Sequence, residues 1–400
     1  MVKISNFSSV FKTSSKYRML FLSIFMMAIG FGLHKGILDN YLAEVVKMNG
    51  MDRGVTEFFR ELPGFLLILI LAVLYRFSAE NIYKIGGFIM VCGMAMLAFV
   101  SPLKFLVTLS ILVYSSGEHI QMAMKNTLSL EYSKEGAGGQ ALGYQNAVYQ
   151  IGNLIGYAAI ILIFTFFAAG RLYKPVYIIS TGFMICAFVF AMQLTGSSET
   201  DKSKNRFYFR RKFSKYYMLE VFYGARKQVF FTFGPYVLIL FYGANASIIS
   251  LLFAVSAVSC FFLSPLVGKI VDRIGYKPVM VGDTLILVIV CFFYGFAHHI
   301  FPKNIAFVVC CVNYILDSII SLASMASNVY VQDLSESKEE MRATISTGIS
   351  VNHAITLLIA LFGGWIWKTV GIETLFVISA VLGLCNSAYA ASIKLNVKKS

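Results

Sequence analysis

Apolar stretches of membrane-spanning length follow one another along almost the whole chain, and the polar sequence between them is too short to fold alone. A bilayer core of about 30 Å takes about 20 apolar residues per helix. Within lipid every backbone N–H and C=O must be satisfied internally, which restricts a spanning segment to a helix or a closed barrel. The runs here have helical length. They predict twelve spans, approximately 17–46, 54–76, 80–100, 103–132, 140–168, 172–194, 215–242, 245–271, 277–299, 303–332, 340–369 and 371–394. Charged residues make up only 14% of the chain, against about 25% in soluble domains. The deficit runs the full length, which excludes a soluble domain with a single anchor. The fold class expected is all-α polytopic. The first run is too long for the h-region of a signal peptide, so no cleaved leader is expected.

The net charge of +14 is concentrated in three places. These are the first residues (Lys3, Lys12, Lys16, Arg18), the connector between the sixth and seventh spans (Lys202, Lys204, Arg206, Arg210, Arg211, Lys212, Lys215) and the end (Lys394, Lys398, Lys399). With twelve spans all three fall on one side. The positive-inside rule makes that side cytoplasmic, which predicts a multi-pass protein of the cell inner (cytoplasmic) membrane with both termini in the cytoplasm. The lipid bilayer, not nucleic acid, is then the partner of this charge. The seven cysteines all lie inside spans, with no CxxC and no metal-like grouping. They read as small apolar packing residues. No cofactor and no metal are expected.

The basic stretch 196–214 divides the spans six and six. It predicts an N-terminal six-helix bundle over 1–195, a cytoplasmic linker over 196–214 and a C-terminal bundle over 215–400. The halves share landmarks. Lys104 opens the fourth span and Glu118 follows fourteen residues later; Lys303 opens the tenth and Asp317 follows at the same spacing. The offset of 199 residues also places Tyr17–Leu20 on Tyr216–Leu219. A repeat of an even number of spans keeps its topology, so the halves are expected to be related by an axis along the membrane normal.

Between the eighth and ninth spans the chain reads Gly268-Lys-Ile-Val-Asp272-Arg273-Ile-Gly275-Tyr-Lys277. This resembles the G-x-x-x-D-R-x-G-x-[RK] motif of the major facilitator superfamily (MFS), which sits at a cytoplasmic turn between two membrane helices. The resemblance implies two pseudo-symmetric six-helix bundles that transport by alternating access, with the first, fourth, seventh and tenth helices around the cavity. It also implies a gating role for Asp272, Arg273 and Lys277, with Asp272 at a helix N-terminus and the two cations bridging to acids of the other half. The matching N-half loop, 74–84, lacks the Gly and Asp, which counts against the drug-efflux branches.

Ionisable residues inside the spans indicate what the chain does. A charge at mid-bilayer costs at least about 2.5 kcal/mol, so it is rarely there without a use. Tyr114, Glu118, Gln121 and Lys125 share one face of the fourth span, as do Asn313, Asp317, Ser321, Ser324 and Asn328 in the tenth. Asn146, Tyr149 and Asn153 form a stripe in the fifth, and Glu220, Tyr223 and Lys227 in the seventh, with Arg226 beside it. At 1.5 Å per residue, Glu118 and Asp317 lie about 20 Å from the start of their helices, slightly past the middle of the membrane.

Arg226 and Lys227 are read as a site for an acidic group, or as partners of Glu220 or Asp317. His34, Lys35, Gln121, Asn146, Tyr149, Asn153 and Tyr223 are the further candidate substrate contacts. Glu118 and Asp317 are candidate proton carriers, since a buried carboxylate can load and release a proton as its surroundings change; the alternative is permanent salt bridges. His119 is a candidate relay. Lys35, Asp39, Glu57, Arg60 and Glu61 could form a gate of ion pairs near the outer face. Gly32/Gly36 and Gly152/Gly156 read as close helix packing.

No G-x-x-x-x-G-K-[ST] occurs, so ATP is not the direct energy source. No HExxH occurs to support a membrane enzyme. The function expected is a secondary active transporter, proton-coupled (or coupled to another cation), moving a small organic anion or zwitterion. The alternative is a multidrug or metabolite efflux antiporter. A monomer is expected.

Overall fold

The computed structural model describes residues 10–12, 14–74, 76–135, 137–167, 172–195 and 209–393. Lys3, the linker cations Lys202, Lys204 and Arg206, and Lys394, Lys398 and Lys399 lie outside them. Among the described residues no β-strand forms beyond an isolated bridge between Phe11 and Ser133. The helices are α1 (Ser14–Asn40), α2 (Gly50–Phe65), α3 (Leu67–Val73), α4 (Ala79–Phe99), α5 (Lys104–Glu131), α6 (Gly138–Phe166), α7 (Tyr173–Met192), α8 (Ser214–Tyr242), α9 (Ala246–Ile274), α10 (Tyr276–Ile300), α11 (Lys303–Ile320), α12 (Met325–Leu334), α13 (Lys338–Thr369) and α14 (Ile372–Ala391).

Two of the expected spans are each broken in two. The second is split at Leu66 into α2 and α3, three residues past Pro63, whose ring removes a ladder hydrogen bond. The tenth is interrupted by a 3₁₀ turn, Ser321–Ser324, between α11 and α12. Caps follow side-chain chemistry elsewhere. Ser78 accepts from the Asn81 N–H, and Ser337 from the Glu340 N–H, each at a helix start. Gly243, at φ 76°, closes α8 in the left-handed conformation that glycine adopts without strain.

Among the described residues nine helices are long and apolar enough to cross a membrane. Helices α5 and α8 are long enough, at 28 and 29 residues, yet fall outside that group. They carry Glu118–His119 and Arg226–Lys227, so the polar content that sets them apart lies in the stripes singled out above.

Two compact units form. Unit 1 comprises 1–48, 59–203 and 245–254; unit 2 comprises 49–58, 204–244 and 255–400. Each has the same internal pairing. In unit 1, α1 packs on α6 and α7, and α4 on α5 and α7; in unit 2, α8 packs on α13 and α14, and α10 on α11 and α14. Helices α5 and α11 open 199 residues apart, at Lys104 and Lys303, as do α7 and α14, at Tyr173 and Ile372.

Glycines let two helices of unit 1 approach closely. A Cβ on Gly32 would stand 2.5 Å from the Asn153 carbonyl oxygen, and one on Gly156 would stand 2.7 Å from the Gly32 backbone. Helices α1 and α6 therefore meet backbone to backbone, the small-residue packing of membrane helices.

Candidate functional site

Unit 2 holds a cavity of about 220 Å³ lined by Lys227, Phe230, Phe231, Tyr314, Asp317, Ser318 and Ser321. Helix α8 supplies the cation and the two phenylalanines, and α11 the acid, with the 3₁₀ turn beginning at Ser321. Asp317 is buried, and its Oδ1 has no hydrogen-bond partner. Lys227 is exposed, with its ammonium 5.8 Å from the centre of the Tyr223 ring. Among the described residues neither Asp317 nor Lys227 forms a salt bridge. Ser318 is satisfied by the Tyr314 carbonyl at 3.2 Å, and Tyr223 donates to the Ser321 carbonyl at 3.3 Å. The wall is thus internally bonded, while the acid and the cation remain available.

Arg226 is placed differently. It is buried, pairs with Asp283 of α10 at 3.2 Å, and lies 4.9 Å over the Tyr223 ring. Adjacent helical residues point about 100° apart, so Lys227 faces the cavity while Arg226 turns into the bundle. The two cations expected to act together are therefore separated. Neither Glu220 nor Asp317 is the ion-pair partner of Arg226. Asp283 is the residue that sequence reasoning passed over. It is the one acid in the otherwise apolar ninth span, and that isolation was its signal. Glu220 is fully engaged, accepting from Ser327 at 3.1 Å and from Asn352 at 3.2 Å.

In unit 1 the fourth-span stripe divides. Glu118 is half-buried and makes no hydrogen bond or ion pair among the described residues, though it lies in the field of Arg60, Glu61, Lys125 and Lys35. Lys125 sits 3.9 Å from the Tyr149 ring centre, a cation–π contact. Gln121, a candidate substrate contact, instead donates to the Tyr83 carbonyl of α4 at 2.7 Å. Its face packs against glycines 86 and 87, where added Cβ atoms would collide with its neighbourhood. His34 is also inward-packed, between Tyr114 and Tyr177 at ring distances of 4.7 and 5.8 Å. His119 shares Nδ1 between the Ser115 hydroxyl and carbonyl, at 3.1 and 2.9 Å. Asn153 is buried and donates to Gln150 at 3.4 Å, whereas Asn146 is exposed.

The expected gate residues resolve into local pairs. Lys35 pairs with Asp39 at 3.4 Å and lies 5.0 Å from the Phe253 ring centre. Arg60 pairs with Glu61. In unit 2 Glu57 pairs with Arg53 at 2.7 Å and accepts from Gln228 at 3.0 Å. At the Gly268–Lys277 turn, Asp272 and Arg273 are exposed. Lys277 donates to the Ile393 carbonyl at 2.9 Å. Its observed partner is thus a carbonyl just past the C-terminal end of α14, where a cation also suits the helix dipole, and not an acid.

Residues 216–398 match the family described as the Major Facilitator Superfamily. No curated protein matches the chain. Solved structures share its fold over nearly its whole length. The nucleoside transporter NupG is 17% identical, with a TM-score of 0.74, covering 96% of this chain and 100% of its own. A POT family transporter in complex with 5-aminolevulinic acid is 10% identical, with a TM-score of 0.72, covering 93% of this chain and 94% of its own. An auto inhibited POT family peptide transporter is 9% identical, with a TM-score of 0.76, covering 97% of this chain and 99% of its own. At such identities the likeness shows the fold. With the family match over residues 216–398 and the repeated helix pairing, it gives the chain the multi-pass membrane fold of Major Facilitator Superfamily transporters.

Proposed function

We propose that the chain moves a small organic anion or zwitterion by alternating access, driven by protons, through a site centred on the Asp317–Lys227 cavity. The observation that carries the reading is the contrast among the acids within the helices of unit 2. Asp283 and Glu220 have partners, whereas Asp317 keeps an unpartnered carboxylate oxygen beside a cavity that also holds an unpaired cation. Leaving a buried polar atom unsatisfied costs about 1–3 kcal/mol, so a position that keeps one is a candidate for a bound group. Lys227 suits the acidic group of a substrate. Asp317 suits the proton, because its charge is tolerable only while a cation or polar partner is near. The cavity's size fits a small metabolite, and one structural neighbour holds 5-aminolevulinic acid, which carries both an amine and an acid. The basic segments support a cytoplasmic side for both termini on the positive-inside rule.

Uptake by the purified chain in proteoliposomes, with and without an imposed pH gradient, tests this. Amino acids, small peptides and organic acids should be accumulated when the outside is acidic, with proton entry alongside. Accumulation of neutral compounds alone, indifferent to pH, would overturn the reading.

A further inference from the structure

At the end of unit 2 away from the Gly268–Lys277 turn, the last turn of α10 carries two adjacent histidines. Both direct Nε2 at one carboxylate oxygen of α14. His298 Nε2 lies 3.1 Å from Glu373 Oε1, and His299 Nε2 lies 3.0 Å from the same atom. The two imidazole rings are 3.9 Å apart between centres. The three ligand atoms lie within 4.8 Å of one another. Successive helical side chains normally diverge by about 100°, so the two rings converge on the carboxylate oxygen they share.

We propose that His298, His299 and Glu373 form a binding site for a divalent transition-metal ion of the zinc type. The donor set is two imidazoles and a carboxylate, a combination that binds zinc while leaving a fourth position for water or another ligand. Bond lengths of about 2.0–2.1 Å to zinc place tetrahedral ligand atoms about 3.3 Å apart. The two nitrogen–oxygen distances fall within a few tenths of an ångström of that edge, so binding needs side-chain adjustment and no backbone rearrangement. Without metal, one oxygen serves both imidazoles. With metal, each Nε2 turns its lone pair to the ion and its proton moves to Nδ1 or to water.

The surroundings support a ligand and not a packed core. The side chains of His298, His299 and Glu373 are 26%, 58% and 29% exposed, so an ion can reach them. The Phe241 ring stands edge-on to His298 at 5.5 Å and walls one side. Gly371, at φ 122°, precedes Glu373; a Cβ there would lie 2.7 Å from Glu373 Oε2. The backbone thus leaves the carboxylate room in two ways, through a conformation side chains avoid and through the missing methyl. An ion held here would tie the end of α10 to the start of α14.

The test uses tag-free, full-length protein in detergent, stripped with a chelator and then titrated with Zn²⁺ by calorimetry. One ion per chain should bind at micromolar or tighter affinity. Co²⁺ should give the visible absorption of a four-coordinate site. Zn²⁺ should raise the melting temperature, since a ligand that binds only the native state stabilises it. Binding should be lost in the His298→Gln/His299→Gln variant and weakened at least tenfold in Glu373→Gln. If the double variant fails to fold, the isosteric Glu373→Gln decides alone. Absence of stoichiometric binding by the wild type, or binding unchanged in Glu373→Gln, would overturn the proposal. None of these measurements depends on transport, so this site and the transport reading fail separately.

Discussion

Glu118 and Asp317 occupy matching positions, fourteen residues into helices that open 199 residues apart, yet the two halves treat them differently. Glu118 lies among charges of both signs, with Arg60, Lys125 and Lys35 opposing Glu61. Asp317 lies in a cavity of aromatic and serine side chains, with Lys227 as the lining cation. A shared frame fixes where an acid can stand, and its neighbours decide what the acid can do. An acid among several charges can trade one partner for another. An acid with one unpaired cation nearby changes state when that cation is engaged by something else.

The largest expected effect is therefore at Asp317. The variant Asp317→Asn keeps the shape and removes the titratable group. Accumulation driven by a pH gradient should fall at least tenfold, while counterflow, which needs no net proton movement, should persist. Glu118→Gln should reduce the same accumulation severalfold. Equal loss in both variants would break the comparison and place coupling on the pair. Retention of pH-driven accumulation in Asp317→Asn would move the coupling site to unit 1.

Arg226 and Lys227 sharpen the comparison within one half. Breaking a buried ion pair by removing one partner costs about 3–5 kcal/mol, while replacing both with apolar groups is often neutral. Arg226→Met should lower the melting temperature and the yield, and the double variant Arg226→Met/Asp283→Leu should restore both. Lys227→Ala should leave the melting temperature within a few degrees and raise KM for acidic substrates about tenfold, as loss of a charged contact to substrate predicts. A KM effect from Arg226 and a folding defect from Lys227 would reverse these roles.

Much of this frame was legible in the sequence. Twelve apolar runs, the 199-residue offset and the turn at Gly268–Lys277 pointed to the fold, because span length and repeat are set by the bilayer and by duplication. Site residues were read less well, because a polar stripe identifies a face without naming its neighbour. Gln121 shares a stripe with Glu118 but spends its amide on the α4 backbone. Arg226 reads like Lys227 until Asp283 stands beside it. The histidine pair at 298–299 and Glu373, over seventy residues apart, come together only through the packing of α10 on α14. The 3₁₀ turn after Asp317 likewise had no marker beyond its serines.

The smallest expected effect lies outside the membrane, where the entry to α8 meets the start of α13. Lys212 lies 2.9 Å from Glu336 and 2.8 Å from Glu340. Those hydrogen bonds hold its ammonium above the ordinary lysine range. A folded-state pKa raised above the unfolded value adds stability that is fully present below the unfolded pKa, about 10.4, and is lost as pH rises through the folded value. Lys212→Ala should therefore lower the melting temperature slightly at pH 7, and the difference from wild type should close as pH rises through the folded-state value. Exposed pairs of this kind are screened by salt, so 0.5 M NaCl should shrink the difference too. A difference that persists at high pH and high salt would assign Lys212 a packing role, through its stem over the Phe213 ring. The entry to α8 would then be held by apolar contact and not by charge, unlike the cavity deeper along the same helix.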